Sequence, residues 1–194
     1  MEKSVTTGRA LTVCSKSVAA IRADPVVSLS MTIFHCAACG TRLTTELQQM
    51  AEVPERPFYD GLPVDGVRRA PATMPRGFYA VDPDPTGAPF VAADDQDSFV
   101  PAYPGGPSMS DEEGVEMVSG GPRNTLLLHP EDMPHLIPLS SGEVGCCGSP
   151  GDKGPNRGCG CGATIGTEMS ECYTPYELHL VPGAVVEGQA ATRR

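Results

Sequence analysis

Met31-Thr32-Ile33-Phe34-His35-Cys36-Ala37-Ala38-Cys39-Gly40 carries the strongest local instruction in the chain. Thr32 to His35 is a short β-branched and aromatic run, the composition of a strand. It leads straight into a Cys-x-x-Cys-Gly turn. Two thiolates three positions apart can clasp one metal ion at about 2.3 Å, and the glycine permits the tight turn whose amides face the sulfurs. Beyond the turn, Thr41 to Thr44 reads as a second strand. Thr45–Met50 reads as one helical turn with Thr45 as its N-cap.

A structural metal site needs four ligands, so a second pair must come from elsewhere in the chain. Gly158-Cys159-Gly160-Cys161-Gly162 offers it, as another Cys-Gly ending followed by a strand-like segment. The separation of the two turns is no obstacle, because the entropy of loop closure grows slowly with length. The pattern predicts a small zinc-ribbon-like core with structural Zn2+ on Cys36, Cys39, Cys159 and Cys161. The single residue between Cys159 and Cys161 departs from the usual two. The competing reading is two pairs of reduced, partly buried thiols.

Cys146, Cys147 and Cys172 remain. Cys146, Cys147 and Cys172, with either His135 or His179, make a candidate second, Cys3His-like site. The alternatives are small apolar thiols packed under a loop, or a redox set with a vicinal disulfide. His35 abuts Cys36 and is placed to line the first site.

Composition sets the limits on everything else. The 194 residues carry 14 Lys+Arg against 24 Asp+Glu, a net charge of −10. Leu, Ile, Val and Phe make up about a fifth of the chain, with 22 glycines, 20 prolines and no tryptophan. This borders on the composition of disordered chains and argues against a large, deep-cored enzyme. The eight cysteines are the counterweight, since metals or cross-links can hold a chain that burial alone cannot. Arg68, Arg69 and Arg76 are the only basic cluster, too small against this charge for a nucleic-acid partner. No apolar run approaches the ~18 residues of a membrane span.

Residues 1–30 differ from the rest, with Lys3, Arg9, Lys16 and Arg22 against Glu2 and Asp24. Lys16 and Arg22 break every apolar stretch short of the roughly 7–15 residues a secretory signal needs. Leu11-Thr12-Val13-Cys14 resembles a lipoprotein cleavage box, but Val13 is too large for it. Met31 therefore reads as the true start, and residues 1–30 as a disordered or untranslated extension. Without an export signal the expected compartment is the reducing cytoplasm, where cysteines serve as ligands more often than as disulfides. Without Cys14 seven cysteines are left, an odd number that cannot all pair.

The body of the chain reads as a β-rich domain over residues 31–186, mainly short antiparallel strands with little helix, followed by a disordered tail at 187–194. Residues 51–122 hold twelve of the twenty prolines and form a Pro/Gly-rich, loop-dominated insertion. Gly77 to Val81 is a strand island within it. Asn124 to His129, Ala163 to Thr167 and Tyr176 to Val181 read as strands, the last alternating as though one face were buried and one wet.

Other constellations are weaker. His129, Asp132 and His135 could serve a metal-dependent hydrolase, but Pro130 and Pro134 forbid the helix that would align them, and a solvated loop fits better. Asp94-Asp95-Gln96-Asp97 lacks the alternating acids and glycine of a calcium loop, and no phosphate loop or nucleophile elbow is present.

Cys36-Ala37-Ala38-Cys39-Gly40, Tyr79-Ala80-Val81-Asp82-Pro83-Asp84-Pro85, Gly154-Pro155-Asn156 ahead of Cys159 and Cys161, and Glu171-Cys172 together resemble small actinobacterial cysteine-knuckle, zinc-ribbon-like proteins. The resemblance covers about residues 31–186. It implies Met31 as the start and the seven remaining cysteines as one set, and it carries a scaffold rather than an activity. The 20 prolines and 22 glycines also suit a high-GC bacterial genome. The reading that emerges is a cytoplasmic, zinc-braced protein-interaction or adaptor module. Its partner is an unidentified protein, with no nucleic acid and no membrane, and the proline-rich middle supplies the contact surface. A thiol-based redox or metal-handling protein is the alternative.

Overall fold

A computed structural model describes residues 31–63, 65–98, 100–140 and 145–189. The expectation for residues 1–30, and that for the end of the tail at 190–194, lie outside the described residues. The fold is strand-rich, with one 3-10 turn at Pro130–Asp132 as its helical content among the described residues.

Among the described residues, twelve short strands make two sheets. They are β1 (Met31–Cys36), β2 (Leu47–Gln49), β3 (Phe78–Asp82), β4 (Phe90–Ala92), β5 (Met109–Ser110), β6 (Glu116–Ser119), β7 (Thr125–Leu128), β8 (Ile137–Pro138), β9 (Arg157–Gly158), β10 (Thr164–Met169), β11 (Glu177–Leu180) and β12 (Val185–Gln189). Nine of them form one sheet in the order β12-β1-β2-β3-β7-β11-β10-β9-β8, and β4-β6-β5 form the other. All pairings are antiparallel except β2 with β3.

The large sheet cannot be flat. β11 holds its sixth place and β12 its first. Five inter-strand steps of about 4.8 Å would separate them by roughly 24 Å. The link from Leu180 to Val185 reaches at most about 17 Å. The sheet therefore curls into a half-barrel, and the link fastens its two sides: Val181 N–H donates to Ile165 O at 2.9 Å, and Ala37 N–H donates to Ala184 O at 3.0 Å.

Inside the curl sits the main core, built from Phe34, Leu47, Tyr79, Leu128, Ile165, Leu178 and Leu180 together with Cys36 and Cys159. Phe34 meets Tyr79 edge to face, with ring centroids 5.0 Å apart. Strand alternation explains the choice: Phe34 and Cys36 point inward, while His35 between them points away. A Cβ on Gly188 of β12 would lie 2.7 Å from the His35 ring, so that ring covers β12 rather than the thiols.

Several expectations need correction. Residues 47–49 form β2 and not a helical turn, because Leu47 is fully buried and the segment is held on one side by β1 and on the other by β3. Thr41 to Thr44 makes only a single bridge, from Arg42 to His35. β12 carries regular structure to Gln189, past the expected boundary at 186. Within residues 51–122 the expected strand island is β3, which joins the main sheet, while β4, β5 and β6, not anticipated, form the small one.

β11 has no wet face. Glu177 and His179 are as buried as Leu178 and Leu180, and Arg56 and Thr73 of the proline-rich segment close over Glu177. Arg56 reaches in to Asp82 Oδ2 at 2.5 Å and to Glu177 Oε1 at 2.9 Å, and the Thr73 hydroxyl donates to Glu177 at 2.5 Å. Burial alone would push the Glu177 carboxyl up. Its bond to His179, with the Arg56 charge and Thr73, outweighs burial and holds it below the usual carboxylate range.

Candidate metal centre

The first cysteine turn closes at the end of β1. Cys36 N–H donates to Thr41 O and Gly40 N–H to Cys36 O, both at 2.8 Å, and Gly40 takes a φ of +72° that suits glycine. The second turn joins β9 to β10 by the same grammar in one residue less. Cys159 N–H donates to Ala163 O at 2.8 Å, Gly162 N–H to Cys159 O at 2.9 Å, and Gly162 has φ +92°. A left-handed glycine after the second cysteine ends both turns, so the shorter spacing yields an equivalent pair of thiols.

Curling of the sheet brings the turns together. Cys36 Sγ lies 3.8 Å from Cys161 Sγ, and Cys39 Sγ lies 3.7 Å from Cys159 Sγ, although the latter two are 120 positions apart in sequence. All four sulfurs fall within 4.8 Å of one another. A tetrahedron with metal–sulfur bonds of about 2.3 Å has edges of about 3.8 Å. A disulfide needs about 2.05 Å, and all seven described cysteines are free thiols. The cluster therefore has the dimensions of a four-thiolate metal site. Cys36 and Cys159 are buried and Cys39 and Cys161 exposed, so one side belongs to the core and the other faces solvent.

The turns also polarise their sulfurs. The Thr41 hydroxyl, 3.2 Å from Cys39 Sγ, and the Thr41 amide favour the Cys39 thiolate and bring its pKa down to about 6. The Cys161 amide favours the Cys159 thiolate in the same way. Burial and the neighbouring thiols Cys161, Cys39 and Cys36 overcome this and push Cys159 up to about 12. An ion that took both would displace a proton from Cys159 and find Cys39 ready.

A second cluster lies in the loops flanking β9 and β10. Cys146 Sγ is 3.5 Å from Cys147 Sγ and 3.8 Å from Cys172 Sγ, and a carboxylate oxygen of Glu171 completes a group whose ligand atoms lie within 4.8 Å of one another. The fourth member is thus an acid and not a histidine. Glu171 sits beside Cys172 in sequence, a signal that a search among cysteines and histidines alone passes over. All three thiols are pushed up from their usual value: Cys146 chiefly by its contact with Glu171, Cys147 by Cys146, and Cys172 by burial. This does not favour a reactive thiolate.

The histidines lie elsewhere. His135 is exposed beside Arg42, Leu43, Thr44 and Thr45. His179 is in the core, with Nδ1 2.9 Å from Thr125 Oγ1 and Nε2 2.9 Å from Glu177 Oε2. Hydroxyl, imidazole and carboxylate in series share the order of a nucleophilic relay in shape alone. Thr125 is 2% and His179 3% exposed, so no substrate reaches either, and the chain of bonds satisfies buried polar groups. His129 and Asp132 are likewise engaged in structure. His129 Nδ1 accepts from Glu131 N–H, and Asp132 accepts from Arg76 Nε at 3.0 Å and Gly77 N–H at 2.8 Å.

A comparison with protein families, curated proteins and solved structures finds no match to this chain. No helix among the described residues is long and apolar enough to cross a membrane.

Proposed function

We propose that this chain is a zinc-braced β protein, with a zinc-ribbon-like structural centre on Cys36, Cys39, Cys159 and Cys161, serving as a cytoplasmic binding module for a protein partner. The observation that carries this reading is the pair of 3.7 and 3.8 Å sulfur contacts made between two sides of a curled sheet. Four thiolates in a closed tetrahedron suit zinc, and the ion would supply a cross-link that a core poor in large apolar residues needs. Free thiols throughout the described residues agree with a reducing compartment.

The partner-binding half of the proposal draws on the proline-rich segment. Phe58 is 92% exposed, and with Tyr173 it flanks a cleft of about 370 Å³ walled by Arg56, Tyr59 and Pro107. Large exposed aromatics beside prolines are a common make-up of contact surfaces. The −10 charge disfavours nucleic acid as the partner.

Elemental analysis of the purified full chain tests the centre. We expect one tightly held zinc per chain, released in both the Cys36→Ser and Cys159→Ser variants. Retention of that metal by either variant would overturn the four-cysteine assignment, and iron in its place would overturn the choice of ion.

A further inference from the structure

We propose that Cys146, Cys147 and Cys172 form a second, exchangeable site for a thiophilic divalent cation, on a loop whose shape is set by the buried carboxylate of Glu171. This inference rests on the geometry of that loop and stands apart from the four-cysteine centre.

Glu171 is fully buried beside thiols that are exposed or half-buried. Its carboxylate spans both cysteine-bearing turns: Oε1 accepts from Cys147 N–H at 3.0 Å and Cys172 N–H at 3.1 Å, and Oε2 accepts from Gly148 N–H at 3.2 Å. The Cys146 thiol donates to Oε1 at 3.2 Å. The partners of this buried acid are amides and a thiol rather than a cation. That contrasts with Glu177, which faces Arg56. An anion held inside the fold, with three sulfurs arrayed around it and no cationic side chain bonded to it among the described residues, is arranged for a positive ion.

The loop is built to keep this arrangement. A Cβ on Gly145 would fall 1.8 Å from Glu171 Oε2, and one on Gly148 would fall 2.3 Å from Ser170 O, so only glycine lets the backbone approach so closely. Gly145 N–H donates to Gly148 O at 2.6 Å, and Ser170 N–H donates to Ser149 O at 2.8 Å, which clamps the two turns together. The sulfur spacings of 3.5 and 3.8 Å then match the edges of a thiolate-bound ion as well as those of the first cluster do.

Oε1 is taken up by two amides and the Cys146 thiol and Oε2 accepts one amide, so Glu171 serves to position the loop. The three sulfurs are the ligands in this proposal, and the fourth place is left to water or another external donor. Each ligating thiol releases its proton to solvent and no electrons move. Cys147 lines a cleft of about 240 Å³ shared with Arg69, Asn156 and Glu168, which gives the ion a route in. Ligands that are exposed or half-buried, with three-point attachment, make for exchange, whereas the first centre is half enclosed by core.

The test uses the full chain equilibrated with excess Zn2+, freed of unbound metal, and assayed for zinc content and for the rate of zinc loss to a weak colorimetric chelator. The expected result is two zinc ions per chain, one lost at once and one retained. The Cys146→Ser/Cys147→Ser/Cys172→Ser variant should hold only the retained ion. Cys172→Ser alone should also lose the fast-exchanging ion, which covers the case of a triple variant that does not fold. A single zinc in the unaltered chain, or two in the Cys172→Ser variant, would overturn the proposal. So would a native mass two hydrogens short with a Cys146–Cys147 bridge and no second zinc, which would identify a redox pair instead. Failure of the first centre would look different, as the absence of any retained ion.

Discussion

Cys36 and Cys39 meet Cys159 and Cys161 from opposite sides of a curled sheet, with four strands between β1 and β10 in its order. Cys146, Cys147 and Cys172 meet between loops that flank adjoining strands at one end of the same sheet. The sulfur spacings are nearly the same, so the difference lies in what each cluster ties together. A cross-link between distant elements restricts the unfolded chain and completes the core, whereas one between adjacent loops shapes only the loops. Similar ligand sets thus support opposite roles, one as a brace and one as a port.

The harshest way to break this contrast is to remove metal altogether. Closed thiolate zinc centres contribute on the order of 10 kcal/mol of binding free energy, and a whole domain is stable by about 5–15 kcal/mol. A strong chelator should therefore unfold the protein, seen as loss of β-sheet circular dichroism, while a weak chelator should leave the fold intact. A thermal melt unmoved by the strong chelator would remove the distinction.

A smaller effect is expected at Glu171. Glu171→Ala strands three part-buried amides, each costing up to about 1 kcal/mol, so a loss of about 2 kcal/mol should appear in denaturant unfolding. The tightly held metal should stay in place. If that ion were released too, the loops and the brace would be one unit and the comparison would fail.

The finest test compares two glycines. Gly145→Ala drives a methyl into the Glu171 carboxylate and should cost about 1–3 kcal/mol. Gly160→Ala, between Cys159 and Cys161, meets nothing within 4 Å and should change stability by no more than about 0.5 kcal/mol. Equal effects at the two positions would show that glycine serves both turns in the same way.

What could be read from the sequence was local. β1, β3, β7, β10 and β11 announce themselves by apolar or β-branched runs between prolines and glycines, and both cysteine turns by the glycine that follows them. What escaped was set by distant partners. Residues 47–49 have the look of a helical turn until β1 and β3 flank them, and the alternation in β11 signals a wet face until Arg56, over a hundred positions earlier, closes over Glu177. Strands as short as Met109–Ser110 carry no periodicity to detect. Glu171 escaped because its function is to hold amides of a loop some 24 positions away, which no spacing rule encodes.

The wide separation of the two knuckles also has a consequence in time. At synthesis rates of about 5–20 residues per second, the 120 positions between Cys39 and Cys159 take on the order of ten seconds to emerge. Throughout that interval Cys36 and Cys39 stand on the nascent chain as a two-thiol half-site. Any ion captured then is held by half its ligands, and β1 waits for β12, the last of the described strands to be made, to cover its outer edge. Long-range pairing of this kind folds slowly. The order of manufacture makes Cys159 and Cys161 the residues whose arrival closes the metal tetrahedron, shortly before β12 closes the sheet.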